Sequence, residues 1–349
     1  MEKYASIKFA NKNQTVVVCA ATENKNWKWL TDRVTSKINW KFVYYCPTVL
    51  DNITRKPDFR KILAAWRTVQ IARKSTAEII FSHEAETTFW VGLFCKVLNH
   101  DVKHIAVSFN YPNRPKFVRR WLMRKALRHV ASFDVSSNME RNLYAEYFSV
   151  SKEKIHFQHW KVGRPPIPHE DAIVTGEYVC AIGEFGRDYE TMLLAASNLP
   201  NIQFVLVVRP KRLLGLHIPA NVRVLTDIPY AQAMNVLYHS QFLVLPLNSS
   251  TMPTGHITAV SAMHLGKAMI ATDSSGIKDY AMDNVNALTY TAGDAANLSE
   301  QIELLYKDKN LCKQLGHNGF QFARDYCTEE GAVKRMVSLL GNHGVTAVM

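Results

Sequence analysis

The residues best placed for chemistry lie in one stretch, Pro253-Thr254-Gly255-His256-Ile257-Thr258-Ala259-Val260-Ser261, just after the apolar run Val244-Leu245-Pro246-Leu247. Gly255 lets the backbone approach a ligand closely. A helix starting beside it aims unpaired N–H groups and its positive dipole end at the same point. The hydroxyls of Thr254 and Thr258 add donors, so a diphosphate can be held here without a metal. An ordinary glycine turn flanked by threonines fits the local residues equally well. A second group, Phe81-Ser82-His83-Glu84-Ala85-Glu86, ends a strand pattern and precedes a helical one. His83 or Glu84 can orient or deprotonate a hydroxyl once burial tunes it. Alternatively, Glu84 and Glu86 simply favour a helix N-terminus.

Metal chemistry has little support. No Asp-x-Asp motif occurs, and the six cysteines (Cys19, Cys46, Cys95, Cys180, Cys312, Cys327) form no C-x-x-C pair. Scattered thiols read as buried residues of a reducing compartment rather than a zinc site. His100 and His104 are separated by Asp-Val-Lys, which ends a helix rather than continuing one face. No metal and no cofactor is expected.

Charge points to a partner. The formal net charge of +12 is concentrated in residues 1–165, which carry 29 Lys+Arg against 13 Asp+Glu, whereas 166–349 carry 13 against 17. A basic half beside a mildly acidic one suggests that the first faces a polyanion, either a nucleic acid or an anionic membrane. The densest run, Arg114 to His129, holds seven Lys/Arg and no acid in sixteen positions, among them Lys116, Arg119, Arg120, Arg124, Lys125 and Arg128. Phe117, Val118, Trp121, Leu122 and Ala126 fall on one stripe. A basic amphipathic helix with tryptophan suits an anionic membrane surface, where each cation contributes about 1 kcal/mol. Part of the stripe must also serve the core, and solvated arginines over a core face are the competing reading. No nucleic-acid module is recognisable, so a nucleic-acid partner is not expected.

These groups need elements to position them. Strand and helix patterns alternate throughout, which predicts α/β architecture with parallel, doubly wound sheets. Expected strands are Thr15–Ala20, Lys41–Tyr45, Glu78–Ser82, His104–Ser108, Ser132–Ser136 and Lys154–Phe157, then Tyr178–Ile182, Ile202–Val208, Val222–Leu225, Phe242–Pro246 and Ala268–Ala271. Helical periodicity fills Phe59–Lys74, Thr87–Leu98, Lys116–His129 and Met139–Phe148. After the midpoint it fills Tyr189–Ser197, Tyr230–His239, Ile257–Leu265, Leu298–Tyr306 and Leu311–Tyr326. Between the halves, Gly163-Arg164-Pro165-Pro166-Ile167-Pro168 favours an extended linker. The first apolar run, Val16–Ala21, is too short for a signal-peptide core or a span, and none elsewhere approaches the roughly 20 residues a spanning helix needs. A cytoplasmic protein is expected.

The stretch through Ala262-Met263-His264-Leu265-Gly266-Lys267-Ala268-Met269-Ile270-Ala271-Thr272 resembles the donor-site signature of retaining GT-B glycosyltransferases of family 4, which reads Glu-x-x-Gly…Glu-Ala-Met-Ala-x-Gly-Lys-Pro-Val-Ile-Ala-Thr. Gly276-Ile277 is similar to the family's Gly-Gly-Ile turn, and Asp294 stands where the family places an aspartate before its last helices. Ile182-Gly183 with Arg187-Asp188-Tyr189-Glu190-Thr191 resembles its first C-terminal-domain strand and basic phosphate loop. The resemblance covers residues 178–335 and is only topological over 1–165. The two family glutamates fall on Pro253 and Ser261, and Asn110 stands where a histidine is usual.

The resemblance implies the GT-B fold, two Rossmann-like domains facing across a cleft. Residues 1–165 would bind the acceptor and face a membrane, with a C-terminal helix over about 326–349 able to pack back on them. Residues 166–325 would bind a nucleotide-sugar donor, with UDP as the expected nucleotide. Donor contacts would be Gly183, Arg187, Arg209, Tyr230, Thr254, Gly255, His256, Thr258 and Ser261. Arg187 suits a leaving diphosphate because a guanidinium binds two phosphate oxygens at once. Arg209-Pro210-Lys211 fits either a phosphate contact or a solvated turn, and Tyr230 offers a ring to the nucleobase. The implied activity is retaining, metal-independent sugar transfer to a lipid-linked or membrane-associated glycan, as in bacterial cell-surface polysaccharide assembly, by an enzyme peripheral on the inner face of the cell membrane. A non-catalytic nucleotide-sugar sensor, a nucleic-acid-binding protein and an epimerase are the alternatives.

Overall fold

The computed structural model describes residues 14–21, 27–34, 38–45, 59–111, 115–161, 163, 165, 171–248 and 253–347. Cys46, Arg114 and most of the proline-rich boundary segment (Arg164, Pro166, Ile167 and Pro168) lie outside them. The chain forms two compact units. One contains residues up to 134, 144–156 and those from 332 on, and the other contains 135–143 and 157–331.

The first unit is built on a six-stranded sheet of β1 (Gln14–Ala21), β2 (Ile38–Tyr45), β3 (Ile79–His83), β4 (Lys103–Val107), β5 (Val130–Val135) and β6 (Ile155–Phe157), in the order β2-β1-β3-β4-β5-β6. Its pairs β1–β2, β1–β3, β3–β4 and β4–β5 are parallel. Val16, Val17, Val18 and Cys19 are fully buried, as a continuous β-branched run in a parallel sheet covered on both faces should be. The helices are α1 (Trp27–Thr31), α2 (Phe59–Lys74), α3 (Ala85–Val97), α4 (Phe117–Leu127) and α5 (Asn138–Phe148). α2 packs on α3, and α3 on α4.

The second unit has the sheet order β12-β11-β10-β7-β8-β9, all parallel, from β7 (Val179–Ile182), β8 (Phe204–Val207), β9 (Val222–Leu225), β10 (Leu243–Leu245), β11 (Met269–Thr272) and β12 (Leu288–Tyr290). Around it lie α6 (Tyr189–Ser197), α7 (Tyr230–His239), α8 (His256–His264), α9 (Ala295–Lys307) and α10 (Lys309–Tyr326). Asp294 caps α9 by accepting from Asn297 N at 2.9 Å. The last helix, α11 (Glu329–Asn342), returns to the first unit's core. There Val333, Met336 and Leu340 repeat at helical spacing and pack among Val16, Val18 and Phe81. Arg335 on α11 pairs with Asp134 on β5.

Two short elements were not legible as patterns. α1 is five residues long and β12 three, too few for either periodicity to register. His104 is a core residue of β4: its Nε2 lies 2.7 Å from Ser82 Oγ, and burial lowers its pKa to about 3.

Two predictions follow from this packing. A Cβ on Gly316 of α10 would press on the Gly266 carbonyl oxygen and lie 3.1 Å from Ala268 N. Gly316→Ala gains about 1 kcal/mol of helix propensity, but a main-chain contact cannot yield as a side chain does. A net loss of about 1–2 kcal/mol is expected, read as a lower urea midpoint at unchanged m. His104 takes up no proton in the folded state until about pH 3, whereas its ordinary value is 6.5. Its contribution to stability is therefore complete above pH 6.5 and is lost as pH falls towards 3, by up to about 1.4 kcal/mol per pH unit. Titration of unfolding free energy should show a shallower acid slope in His104→Gln than in the wild type.

Candidate donor site and polar clusters

In the second unit, three chain segments meet at the carboxyl ends of β7 and β10. β7 runs into Gly183-Glu184-Phe185-Gly186-Arg187 before α6, which Asp188 caps by accepting from Thr191 N at 3.0 Å. This loop is fastened to the residues after β10: Asp188 N donates to Pro246 O at 2.9 Å, Asn248 N donates to Gly186 O at 3.1 Å, and Arg187 forms a bridge with Leu247. Gly186, at φ 66, lies so close to Thr254 that a Cβ would stand 2.8 Å from its Oγ1. Gly255, at φ 92, is the N-cap of α8, a left-handed conformation that glycine adopts without strain.

Arg187 folds back across Gly183. Its Nε donates to Ile182 O (3.3 Å), Nη1 to Phe185 O (2.9 Å) and Nη2 to Thr258 Oγ1 (3.0 Å). Every one of these acceptors is neutral, and among the described residues no carboxylate pairs with it. Burial pulls its pKa down, opposed by Tyr189. A largely desolvated cation without a counter-ion is costly and favours an anion beside it. The first turn of α8 points the same way, since its N–H groups have no intrahelical acceptor. Arg187, Gly183, Thr254, Gly255 and Thr258 are thus brought together.

The other expected donor residues differ in placement. The His256 ring turns inward, its Nε2–H donating to Gly276 O at 2.8 Å with the ring 4.6 Å from that of Tyr280. Burial lowers its pKa to about 4, against the Gly276 hydrogen bond, so the ring is neutral at physiological pH. What it offers a ligand at the head of α8 is its main-chain N–H. Ser261 is buried, and its Oγ has no hydrogen-bond partner. Tyr230 stands exposed at the start of α7.

Arg209 pairs with Glu184 at 3.1 Å, alongside Lys211 at 2.8 Å and Arg212 at 3.7 Å. Burial alone would raise the Glu184 pKa, but Lys211, Arg209 and Arg212 together hold it below the ordinary value. Three cations on one acid leave this corner positive. Sequence reasoning missed Gly186, Glu184 and Arg212. The spacing Gly183-x-x-Gly186-Arg187 carried a signal for the first, whereas the ion cluster depends on how the β7 and β8 loops meet.

In the first unit, β3 ends at His83, and Glu84 follows with φ 71 and ψ 155. A positive φ at a non-glycine residue is a strained conformation that surrounding contacts must hold. Glu84 precedes α3 without capping it by its side chain, so the capping reading fails there. One carboxylate oxygen accepts from Tyr45 OH and the other from Lys61 Nζ at 2.8 Å. His83 meets Trp27 edge-on, with ring centroids 6.2 Å apart. Burial lowers its pKa, with Glu84 opposing and Lys61 assisting. Glu86 instead accepts from Tyr111 OH (2.9 Å), Trp90 Nε1 (3.0 Å) and Arg119.

Of the apolar stripe expected on α4, Ala126 is buried and Leu122 half-buried, whereas Phe117 is 88% exposed, Val118 71% and Trp121 55%. The buried face is completed by Met123 and Leu127, which lie off that stripe. Lys116, Lys125 and Arg128 are exposed, with Lys125 Nζ 4.5 Å from the Trp121 ring centre. Arg119 is tied to Glu86, so it is not a free surface cation. Among the described residues, no helix is long and apolar enough to cross a membrane. No group of three or more His, Cys, Asp or Glu side chains among them could hold a metal.

Comparison with known proteins agrees with this architecture. Residues 177–322 match the family model of glycosyl transferases group 1. No curated protein matches the chain in sequence. Among solved structures, a glycosyltransferase from Rickettsia africae ESF-5 is similar at TM-score 0.73 and 11% identity, over 95% of this chain and 99% of that one. Sucrose-phosphate synthase from Thermosynechococcus elongatus is similar at 0.72 and 14%, over 94% and 98%. Anabaena HepE in complex with UDP is similar at 0.70 and 11%, over 94% and 100%. Residues 177–322 are thus similar to glycosyl transferases group 1, and the two parallel six-stranded sheets have the architecture of GT-B glycosyltransferases.

Proposed function

We propose that the chain transfers a sugar from a UDP-linked donor to a lipid-linked or membrane-associated glycan, on the inner face of the cell membrane and without a metal. The carrying observation is Arg187, a cation with only neutral partners, beside the open N-terminal turn of α8. The donor diphosphate fits there, against the guanidinium, the Thr254 and Thr258 hydroxyls and the main-chain N–H groups that follow Gly255. Negative charge grows on the departing nucleotide as the glycosidic bond breaks, and fixed donors stabilise it without rearranging. That Anabaena HepE was solved with UDP supports the choice of base.

The reaction is retaining in this reading: the leaving phosphate takes the proton of the acceptor hydroxyl as that hydroxyl attacks, so no protein nucleophile is needed. On the acceptor side, His83, kept neutral by burial, and Glu84, held by Tyr45 and Lys61, orient the hydroxyl whose proton goes to the leaving phosphate. Phe117, Val118 and Trp121 enter the membrane interface, and the cations of α4 meet anionic headgroups. The unpartnered Ser261 hydroxyl, where a family glutamate is usual, favours one other reading, a nucleotide-sugar binder without turnover. Measurable transfer or donor hydrolysis would exclude it.

A thermal-shift titration with UDP tests the donor site. UDP should raise the melting temperature of the wild type. Arg187→Ala should weaken UDP binding by about 10–100-fold, the worth of a lost charge-assisted contact, and Thr258→Ala by less. Equal stabilisation of wild type and Arg187→Ala would refute the assignment.

A further inference from the structure

An open cavity of about 410 Å³ lies against α4, lined by Lys116, Phe117, Arg120, Trp121, Arg124 and Tyr147. Three of the six are cations and none is an acid. Each guanidinium is pinned by neutral groups alone. Arg120 lies 4.0 Å over the Tyr147 ring, with its Nε donating to Tyr147 O at 3.1 Å. Arg124 donates from Nη2 to Ser149 Oγ, while its Nε is buried with no hydrogen-bond partner. Lys116 is exposed and has no ion pair among the described residues. Arg119, on the same helix, is by contrast neutralised by Glu86. The cavity therefore gathers two pinned guanidiniums and the exposed Lys116, none paired with an acid among the described residues, together with a buried N–H still to be satisfied.

The rim says what kind of anion fits. Phe117 and Trp121 project into solvent at the cavity, and Phe117 does so from a left-handed backbone conformation, φ 50. A small soluble anion gains nothing from exposed aromatic rings, whereas a headgroup arrives with an interface into which such rings insert. We infer that this cavity is a subsite for the phosphate of a membrane lipid carrying a terminal phosphomonoester. Lys116, Arg120 and Arg124 receive the doubly charged group, and Phe117 and Trp121 seat in the surrounding interface. The inference rests on the reading of α4 as a membrane face.

The test is co-sedimentation of the full chain with phosphatidylcholine vesicles carrying either phosphatidic acid or phosphatidylglycerol, matched in surface charge. Binding to phosphatidic acid should be about tenfold tighter, the scale of one charge-assisted contact. Lys116→Gln, at an exposed position, and Arg120→Gln should abolish that preference. Arg128→Gln, outside the cavity, should weaken both vesicles alike. Equal binding of the wild type to both vesicles, or a preference that survives Lys116→Gln and Arg120→Gln, would overturn the subsite and leave the membrane face standing. No binding to either vesicle would remove the membrane face as well. Glycerol 3-phosphate binding in solution as tightly as the phosphatidic acid vesicles would assign the cavity to a soluble phosphate and overturn the lipid source.

Discussion

The second unit is organised around a positive charge that no carboxylate among the described residues pairs with. Arg187 gives up much of its hydration to lie across Gly183, and two carbonyls and one hydroxyl are what it receives in return. Neutral acceptors offset only part of such a desolvation cost, which amounts to several kcal/mol for an ion. The surrounding sequence is constrained accordingly. A side chain at Gly183 would collide with the guanidinium, since a Cβ there would stand 2.6 Å from Nη2. One at Gly186 would drive Thr254 away. Thr258 must keep a hydroxyl one turn into α8. An ordinary salt bridge would stabilise the fold more and leave the site with no appetite for an anion.

Much of this was readable in the chain and some was not, for physical reasons. Arg187 and Thr258 were singled out separately by residue type, and 71 positions of sequence separate the two ends of their hydrogen bond. Long buried strands such as β1 announced themselves by composition. The direction in which a side chain turns did not. His256 looks like a ligand by position, yet its ring satisfies Gly276, because the first turn of α8 faces both the site and the core. The stripe on α4 was similarly ambiguous. Helical spacing gives an arc through Phe117, Val118, Trp121, Leu122 and Ala126, but packing puts Met123, Ala126 and Leu127 inside and leaves Phe117, Val118 and Trp121 out.

The carboxylates of Glu84 and Glu86 show the same limit in the first unit. Two positions apart in sequence, they look interchangeable as helix-start residues. Glu84's left-handed backbone sends its carboxylate to Tyr45 and Lys61, while Glu86 gathers Trp90, Tyr111 and Arg119. One residue of strained backbone thus separates two anionic centres with different neighbours. No propensity scale carries that information, because the strain is held by tertiary contacts.

The fastening of the Gly183–Asp188 loop to the end of β10 has a consequence for time scales. With Asp188 N on Pro246 O, Asn248 N on Gly186 O and Arg187 bridged to Leu247, this wall of the proposed donor site is ordered when the unit folds. An arriving ligand need not immobilise it, so the entropy of ordering these residues is absent from the binding step. Capture by such a preformed wall can run at the rate of diffusional encounter, quickened by its uncompensated charge and slowed by added salt. Differences in affinity among ligands that use this wall should then reside in how long they stay rather than in how fast they arrive.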